Sequence, residues 1–406
     1  MLERGDYAGG RALMNDRLAS PQGDTPAHVR PFVIDVPQSK LDWIAQRLDD
    51  AEWPDPAEGD AWAYGTDGAA LRDLVHHWRT AYDWRAGEAA MNRFPHFLVD
   101  VEVDGRPYTV HLIHVVGEGP NPKPVLITHG WPGSFVEFLD AIDPLTDPAA
   151  HGGDANDAMT VVVPSLIGYG FSSKPHKPIG PRTIAKAFDQ AMAALGYRDY
   201  VAQGGDWGSA VSGWLGYEGA GCSAVHLNFT FGWTRPDAQP ETEEEIAAAH
   251  ALVDRWRTEG GYMAIQSTRP VTLSYAMADS PLGVAAWILE KFQRWSQLPG
   301  GDLWAIYTRD RVLDNIMIYL VTGTFGTAAW LYRGVLDEQV PPGARVEKPV
   351  AIANFPGELS RFPRSTVEKS YNVVRWTELP RGGHFAAMEQ PALFVDELRE
   401  YVRSLR

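Results

Sequence analysis

The stretch VAQGGDWGSAVSGWLG, residues 201–216, constrains the fold more than any other part of the chain. An apolar run ends in a glycine-rich turn, and a helical pattern follows at once. The tip reads Gly204-Gly205-Asp206-Trp207-Gly208. So sharp a strand-to-helix turn needs small residues on either side of its apex, because strand and helix pass close together. The apex side chain then projects above the carboxyl edge of the sheet, where open α/β sheets bind ligands. Many hydrolases carry serine there, in the pattern G-x-S-x-G. Here the apex is aspartate. A carboxylate is ionised at neutral pH without help, and it can displace a group at a strained or activated sp³ carbon, leaving an ester that must then be hydrolysed.

An apex of this kind implies a parallel sheet, and the surrounding sequence supplies one. VLITHG (125–130) and TVVVPS (160–165) are continuous apolar runs that end in loops, as strands buried on both faces do. The helical stretch PRTIAKAFDQAMAALG (181–196) precedes the YVAQGG strand. After Pro341 the pattern returns with PVAIANF (349–355), NVVRWTEL (372–379) and a last helix, ALFVDELREYVRSL. Strands alternating with helices predict an α/β-hydrolase fold with a mainly parallel sheet. FLVDVEVDGRPYTVHLIHVV (97–116) alternates and breaks at Asp104-Gly105, a hairpin signal.

Upstream of the hairpin, VIDVP (33–37) reads as a strand leading into a helix over LDWIAQRLDDAEW. A second amphipathic helix carries Leu71, Leu74, Val75 and Trp78. Residues 236–340 are helical and aromatic, with no parallel-strand run. The expected organisation is a flexible arm (1–30), a wrapping meander (31–95), an α/β core in two parts (96–235 and 346–406) and a helical lid (236–345).

Hydrolysis of an aspartyl ester needs a base, and the base needs an orienting acid. His384 lies in RGGHFAAMEQP, between a strand and the last helix, and Glu358 lies in NFPGELSRFP, after another strand. The order Asp, Glu, His is the chain order of α/β-hydrolase triads. A neutral imidazole can take a proton from water while a carboxylate on its far nitrogen fixes the tautomer. In LITHGWPGS (126–134) a loop leaves a strand, and its backbone N–H at Trp131, with that of Trp207, is expected to form an oxyanion hole. Each such donor is worth roughly 3–4 kcal/mol. Singly, a His-Gly turn, a loop glutamate and a Gly-Gly-Asp turn are ordinary structural features. Their order at successive strand ends is what points to catalysis. GYG (168–170) lacks the third glycine of a dinucleotide motif and reads as a loop. His111 and His114, three apart on a strand, face opposite sides and make no metal pair.

Bulk properties narrow the partners. A formal net charge of -16 argues against nucleic acid or an anionic membrane. The one cysteine, Cys222, precludes an internal disulfide and fits a reducing cytoplasm. The first residues lack the apolar core of a signal peptide, and no run approaches the roughly 18 apolar residues of a membrane helix, so no membrane anchor is expected. Fifteen tryptophans leave aromatic side chains to line an apolar pocket. No metal or organic cofactor is expected. A homodimer stays open.

HGWPG, PSLIGYGFSS, GGDWGS, GYMAIQSTRP, FPGEL and RGGHFAAMEQP together resemble the microsomal-type epoxide hydrolases, which include insect juvenile-hormone enzymes and soluble bacterial and fungal relatives. WAYGTD, YDWR and NRFPHF resemble that family's N-terminal meander, so the likeness spans roughly residues 31–403. It implies an epoxide opened to a vicinal diol, with Asp206 as nucleophile, His384 as base and Glu358 as its acid. It also implies two lid tyrosines that hydrogen-bond the epoxide oxygen: Tyr262, after Gly260-Gly261, and Tyr332, in AAWLYRG. Tyr319 sits in an equally suitable helix and competes with Tyr332 for the second place. The animal members carry an N-terminal membrane anchor where this chain has a polar arm. A haloalkane-type dehalogenase is the rival reading: it shares the aspartate nucleophile, and Trp207 could hold a halide. The substrate expected is an apolar or aryl epoxide, with water as co-substrate.

Overall fold

The computed structural model describes residues 28–59, 61–230 and 237–406. Its frame is a nine-stranded sheet in the order β1-β2-β3-β5-β4-β6-β7-β8-β9. The strands are β1 (Val29–Phe32), β2 (His96–Val103), β3 (Arg106–Val115), β4 (Lys123–Thr128), β5 (Met159–Pro164), β6 (Tyr200–Gly204), β7 (Cys222–Leu227), β8 (Val346–Asn354) and β9 (Tyr371–Glu378). From β5 to β9 every neighbouring pair is parallel, and β1, β2, β3 and β5 pair antiparallel. All six residues of β5 are buried, as a strand covered on both faces requires. β2 and β3 meet through the two-residue turn Asp104-Gly105, whose φ angles of 50° and 73° match the type I′ geometry favoured between twisted strands.

The N-terminal segment departs from expectation. The strand is VRPF at 29–32, not VIDVP at 33–37, and it joins the main sheet against β2. VIDVP is extended but unpaired with any strand, because side chains satisfy its backbone. Asn92 Oδ1 accepts the Ile34 N–H at 2.9 Å and Asn92 Nδ2 donates to the Ile34 carbonyl at 2.8 Å. Glu88 Oε1 accepts the Val36 N–H at 2.8 Å. Two residues expected in the arm, Val29 and Arg30, are thus strand; the arm's first 27 residues lie outside the described residues. The following helix is Gln38–Asp49 and stops short of Trp53. The next, Gly68–Thr80, is capped by Asp67 and buries Leu71, Leu74, Val75 and Trp78.

Between β7 and β8 the chain is helical among the described residues: Glu243–Glu259, Gly261–Thr268, Pro270–Asp279, Pro281–Trp295, Arg309–Thr322 and Phe325–Gly334. Local signals set these bounds. Thr242 accepts the Glu245 N–H at 3.2 Å, with three glutamates in the first turn to meet the helix dipole. Ser280 caps the helix that opens on Pro281. Gly323, at φ 61°, closes Arg309–Thr322 in the left-handed conformation. No single helix among the described residues is long and apolar enough to cross a membrane.

Candidate active site

Register gathers the chemistry at one edge. Thr128 of β4 lies beside Gly204 of β6, Gly204 beside Leu227 of β7, and Leu227 beside Ile352 of β8. The loops leaving these strands carry Trp131, Asp206, Asn228 and Glu358, and the loop after β9 carries His384.

Asp206 opens the helix Asp206–Glu218 with φ 46°, a strained value for a non-glycine residue. The elbow closes so tightly that a Cβ on Gly208 would stand 2.0 Å from the Thr128 carbonyl oxygen. A Cβ on Gly130 would stand 2.1 Å from Asp206 Oδ1. That second glycine lets the Trp131 N–H reach Asp206 Oδ1 at 2.8 Å. The other oxygen, Oδ2, lies 3.3 Å from His384 Nε2. Trp207 sits in the first turn of the same helix, where backbone N–H groups have no carbonyl partner within the helix.

His384 is buried, and its Nδ1 lies 2.7 Å from Glu358 Oε1. Burial alone would push this imidazole's pKa down. The carboxylates of Glu358 and Asp206 overcome burial and hold it well above the ordinary value, which favours the imidazolium in the free protein. Glu358 Oε1 also accepts the Leu359 N–H at 2.5 Å. The Glu358 and His384 loops are joined by a bridge between Gly357 and Gly383.

The helical region roofs the site with aromatic rings. Tyr262 stacks on Trp131 with centroids 5.0 Å apart, and Tyr332 stands edge-on to Trp207 at 4.8 Å and to Tyr262 at 5.7 Å. The Tyr332 hydroxyl is buried, with the Tyr262 phenol as its polar neighbour. Burial, then the negative charge of Asp206, holds the Tyr262 phenol protonated; for Tyr332, burial leads and Tyr262 and Asp206 add to it. Tyr319 differs, because its hydroxyl donates to the Gly133 carbonyl at 2.7 Å. Asp206, His384, Glu358, Trp131, Trp207, Tyr262 and Tyr332 are therefore brought together, while Tyr319 is engaged in bracing the Trp131 loop.

Five supporting residues escaped the sequence reading. His129 takes the Leu166 N–H on Nε2 at 3.2 Å, so Nδ1 carries the proton and donates to the Gly130 carbonyl at 2.9 Å. Burial pushes this ring down to about 4, consistent with a neutral tautomer. Glu389, in the quoted RGGHFAAMEQP, accepts the N–H groups of Gly383, Phe385 and Gln297 at 2.8, 3.0 and 2.9 Å. With the His384 N–H bonded to the Trp295 carbonyl at 3.0 Å and Gly382 N–H to Gln297 Oε1 at 2.7 Å, this ties the roof to the histidine loop. Trp295 stands edge-on to the His384 ring at 5.1 Å. Glu137, four residues after Gly133, lines a cavity with Asp206 and His384. His111 and His114 are engaged elsewhere, His111 with His96 and Ser165, His114 with Tyr197. No group of three His, Cys, Asp or Glu side chains among the described residues could hold a metal ion.

Comparison with known proteins gives a consistent picture. Residues 29–138 match the family profile described as the epoxide hydrolase N terminus, and residues 123–258 match that of the alpha/beta hydrolase fold. The chain is 44% identical to a Stigmatella aurantiaca protein described as a candidate epoxide hydrolase, over 93% of this chain and 86% of that one. It is 32% identical to epoxide hydrolase 1 of Sus scrofa, over 96% and 93% of the two chains. Among solved structures, Aspergillus niger epoxide hydrolase superposes with a TM-score of 0.80 at 29% identity, over 94% of this chain and 99% of that one. Juvenile hormone epoxide hydrolase of Bombyx mori superposes with a TM-score of 0.82 at 27% identity, over 94% and 95%. With such coverage at both sequence and structure, over one sheet that carries an aspartate elbow, this chain belongs to the epoxide hydrolase family of the α/β-hydrolase fold.

Proposed function

We propose that the protein hydrolyses apolar or aryl epoxides to vicinal diols through an ester on Asp206. The observation that carries this reading is the asymmetric setting of the Asp206 carboxylate. One oxygen is held by the Trp131 N–H and the other faces His384, beneath two buried phenols.

Oδ2 attacks a ring carbon, a C–Oδ2 bond forms, and the ring C–O bond breaks toward oxygen. The developing alkoxide takes a proton from the Tyr262 and Tyr332 phenols, which share its charge. Ester formation removes the Asp206 charge, one of the two supports that keep His384 protonated. The imidazolium gives up its proton, restoring the phenol, and becomes a base. Glu358 holds its Nδ1–H and so leaves Nε2 free for water. Water attacks Cγ as His384 takes one of its protons, and Oδ1 becomes an oxyanion bonded by the N–H groups of Trp131 and Trp207. Collapse breaks the Cγ–Oδ2 bond, and the leaving diol oxygen takes the proton still on the added hydroxyl. The helices over 243–334 serve as the lid, and their aromatic lining suits apolar or aryl substituents.

A single turnover with enzyme in excess over a terminal aryl epoxide, run in ¹⁸O-labelled water, tests this directly. The diol should leave unlabelled, because its new hydroxyl is Oδ2, and the peptide containing Asp206 should gain one label. Label in the first-turnover diol would mean direct attack by water on the ring and would overturn the ester. A matched alkyl bromide should release no halide.

A further inference from the structure

Beside the nucleophile and its base lies a cavity of about 10 Å³, lined among others by Thr128, Gly130, Glu137, Asp206, Asn228 and His384. That is the space one buried water occupies, and such a water needs two to four polar partners. A water aimed at Asp206 Cγ can give one proton to His384 Nε2, which leaves its second O–H to be satisfied. The choice of acceptor is narrow. Asn228 Oδ1 already accepts from Gln203 Nε2 at 2.8 Å, and the Gly130 carbonyl from His129 Nδ1 at 2.9 Å, so each has one lone pair left. Thr128 Oγ1 is buried without a partner, but a hydroxyl also brings a proton of its own. Glu137 presents a carboxyl group.

We propose that Glu137 is a further catalytic residue, which receives the second proton of the hydrolytic water in a hydrogen bond and so aims its oxygen at the Asp206 ester. This rests on the ester mechanism proposed above and assigns one more group to its second step. Glu137 is held for such a task. It lies in the short helix Phe135–Phe138, whose N-terminus is capped by the Ser134 hydroxyl. Ser134 in turn donates to Asn315 Oδ1 at 2.8 Å, and Asn315 Nδ2 donates to the Pro132 carbonyl at 2.8 Å. The segment therefore cannot drift from the elbow without breaking buried bonds. Burial pushes the Glu137 carboxyl up to about 8, and the nearby Asp206 charge adds to that while His384 opposes it. A carboxyl group held up in this way accepts a hydrogen bond on its carbonyl oxygen and competes less with His384 for the water's proton.

The test separates ring opening from ester hydrolysis by rapid-quench mass analysis of intact protein, with a terminal aryl epoxide, for wild type, E137A, E137Q and T128V. E137A is expected to form the ester at the wild-type rate and hydrolyse it roughly 10–100-fold more slowly, the scale of a misplaced reactant. The adduct should accumulate, and kcat and KM should fall together while kcat/KM, set by ring opening, stays constant. E137Q keeps an acceptor oxygen and should recover most of the lost hydrolysis; it also carries the test if E137A does not fold. Equal hydrolysis in wild type and both Glu137 variants, a matching loss of ring opening, or a hydrolysis defect confined to T128V would each overturn the role of Glu137. If wild type forms neither ester nor diol, the epoxide reading itself fails, and this proposal with it.

Discussion

Replacing His384 with glutamine should stop the reaction halfway. The imidazole has two polar contacts, Nδ1 to Glu358 Oε1 at 2.7 Å and Nε2 to Asp206 Oδ2 at 3.3 Å. Glutamine can keep a donor toward Glu358, so the buried carboxylate is not orphaned, yet its amide cannot take a proton from water. Ring opening uses Asp206 and the phenols and should survive. Ester hydrolysis loses its general base, which contributes about 10²–10⁴-fold, or roughly 3–5 kcal/mol of barrier. The assay is intact-protein mass after mixing the variant with an equimolar aryl epoxide. Mass should rise by one substrate within the time of ring opening and decay at the slowed hydrolysis rate. A variant that makes diol without any adduct, or that forms neither, would refute the division of labour between Asp206 and His384.

The lid tyrosines should separate in a paired comparison. Y332F should slow ring opening roughly 10- to 100-fold by removing one of two proton donors. Y319F should largely spare it and lose about 1 kcal/mol of stability with the bond to the Gly133 carbonyl; rapid-quench rates and thermal unfolding read the two. Stability itself should peak near pH 6.5. Burial pushes His96, His114, His129 and His226 down to about 4 and His111 well below its ordinary value, so the unfolded chain binds these protons first and stability falls as pH drops from 6.5 toward 4. Glu137, Glu389 and Asp314 are pushed up to about 8, 7 and 6 by burial, so the native state retains protons that the unfolded chain sheds above the usual carboxylate range. Their contribution, and that of the raised His384, is lost as pH rises through those values. Below 6.5 the five histidines outnumber the three acids, and above it only the opposing groups remain. A Tm that climbs steadily to pH 8 would contradict this balance.

Local chemistry with one solution was legible in the sequence. A turn with two left-handed residues shows as Asp104-Gly105, and a close-packed elbow shows as glycines around residue 206. Long-range satisfaction of polar groups was not legible. VIDVP has the alternation of a strand, but its partners are the side chains of Asn92 and Glu88, more than fifty residues away. β7 went unnoticed because serine and histidine interrupt CSAVHL, and its partner in β8 follows only after the whole helical insertion. Tyr319 and Tyr332 both lie on buried helical positions. What distinguishes them is a carbonyl acceptor in the loop after β4, which no spacing within the lid reveals. Glu137 and Glu389 were invisible for the same reason: a glutamate in a loop or short helix reads as solvated until the fold encloses it.

The hydrogen bonds that fasten residues 295–297 to the segment 382–389 have a consequence for molecular traffic. A cover hinged on that side could not swing away without dragging the His384 loop with it. Any opening of the roof is expected instead on the side of the helices between 243 and 279, which carry the exposed apolar side chains Val253, Ile265, Val271 and Tyr275. Substitutions along the stitched seam should accordingly be tolerated least.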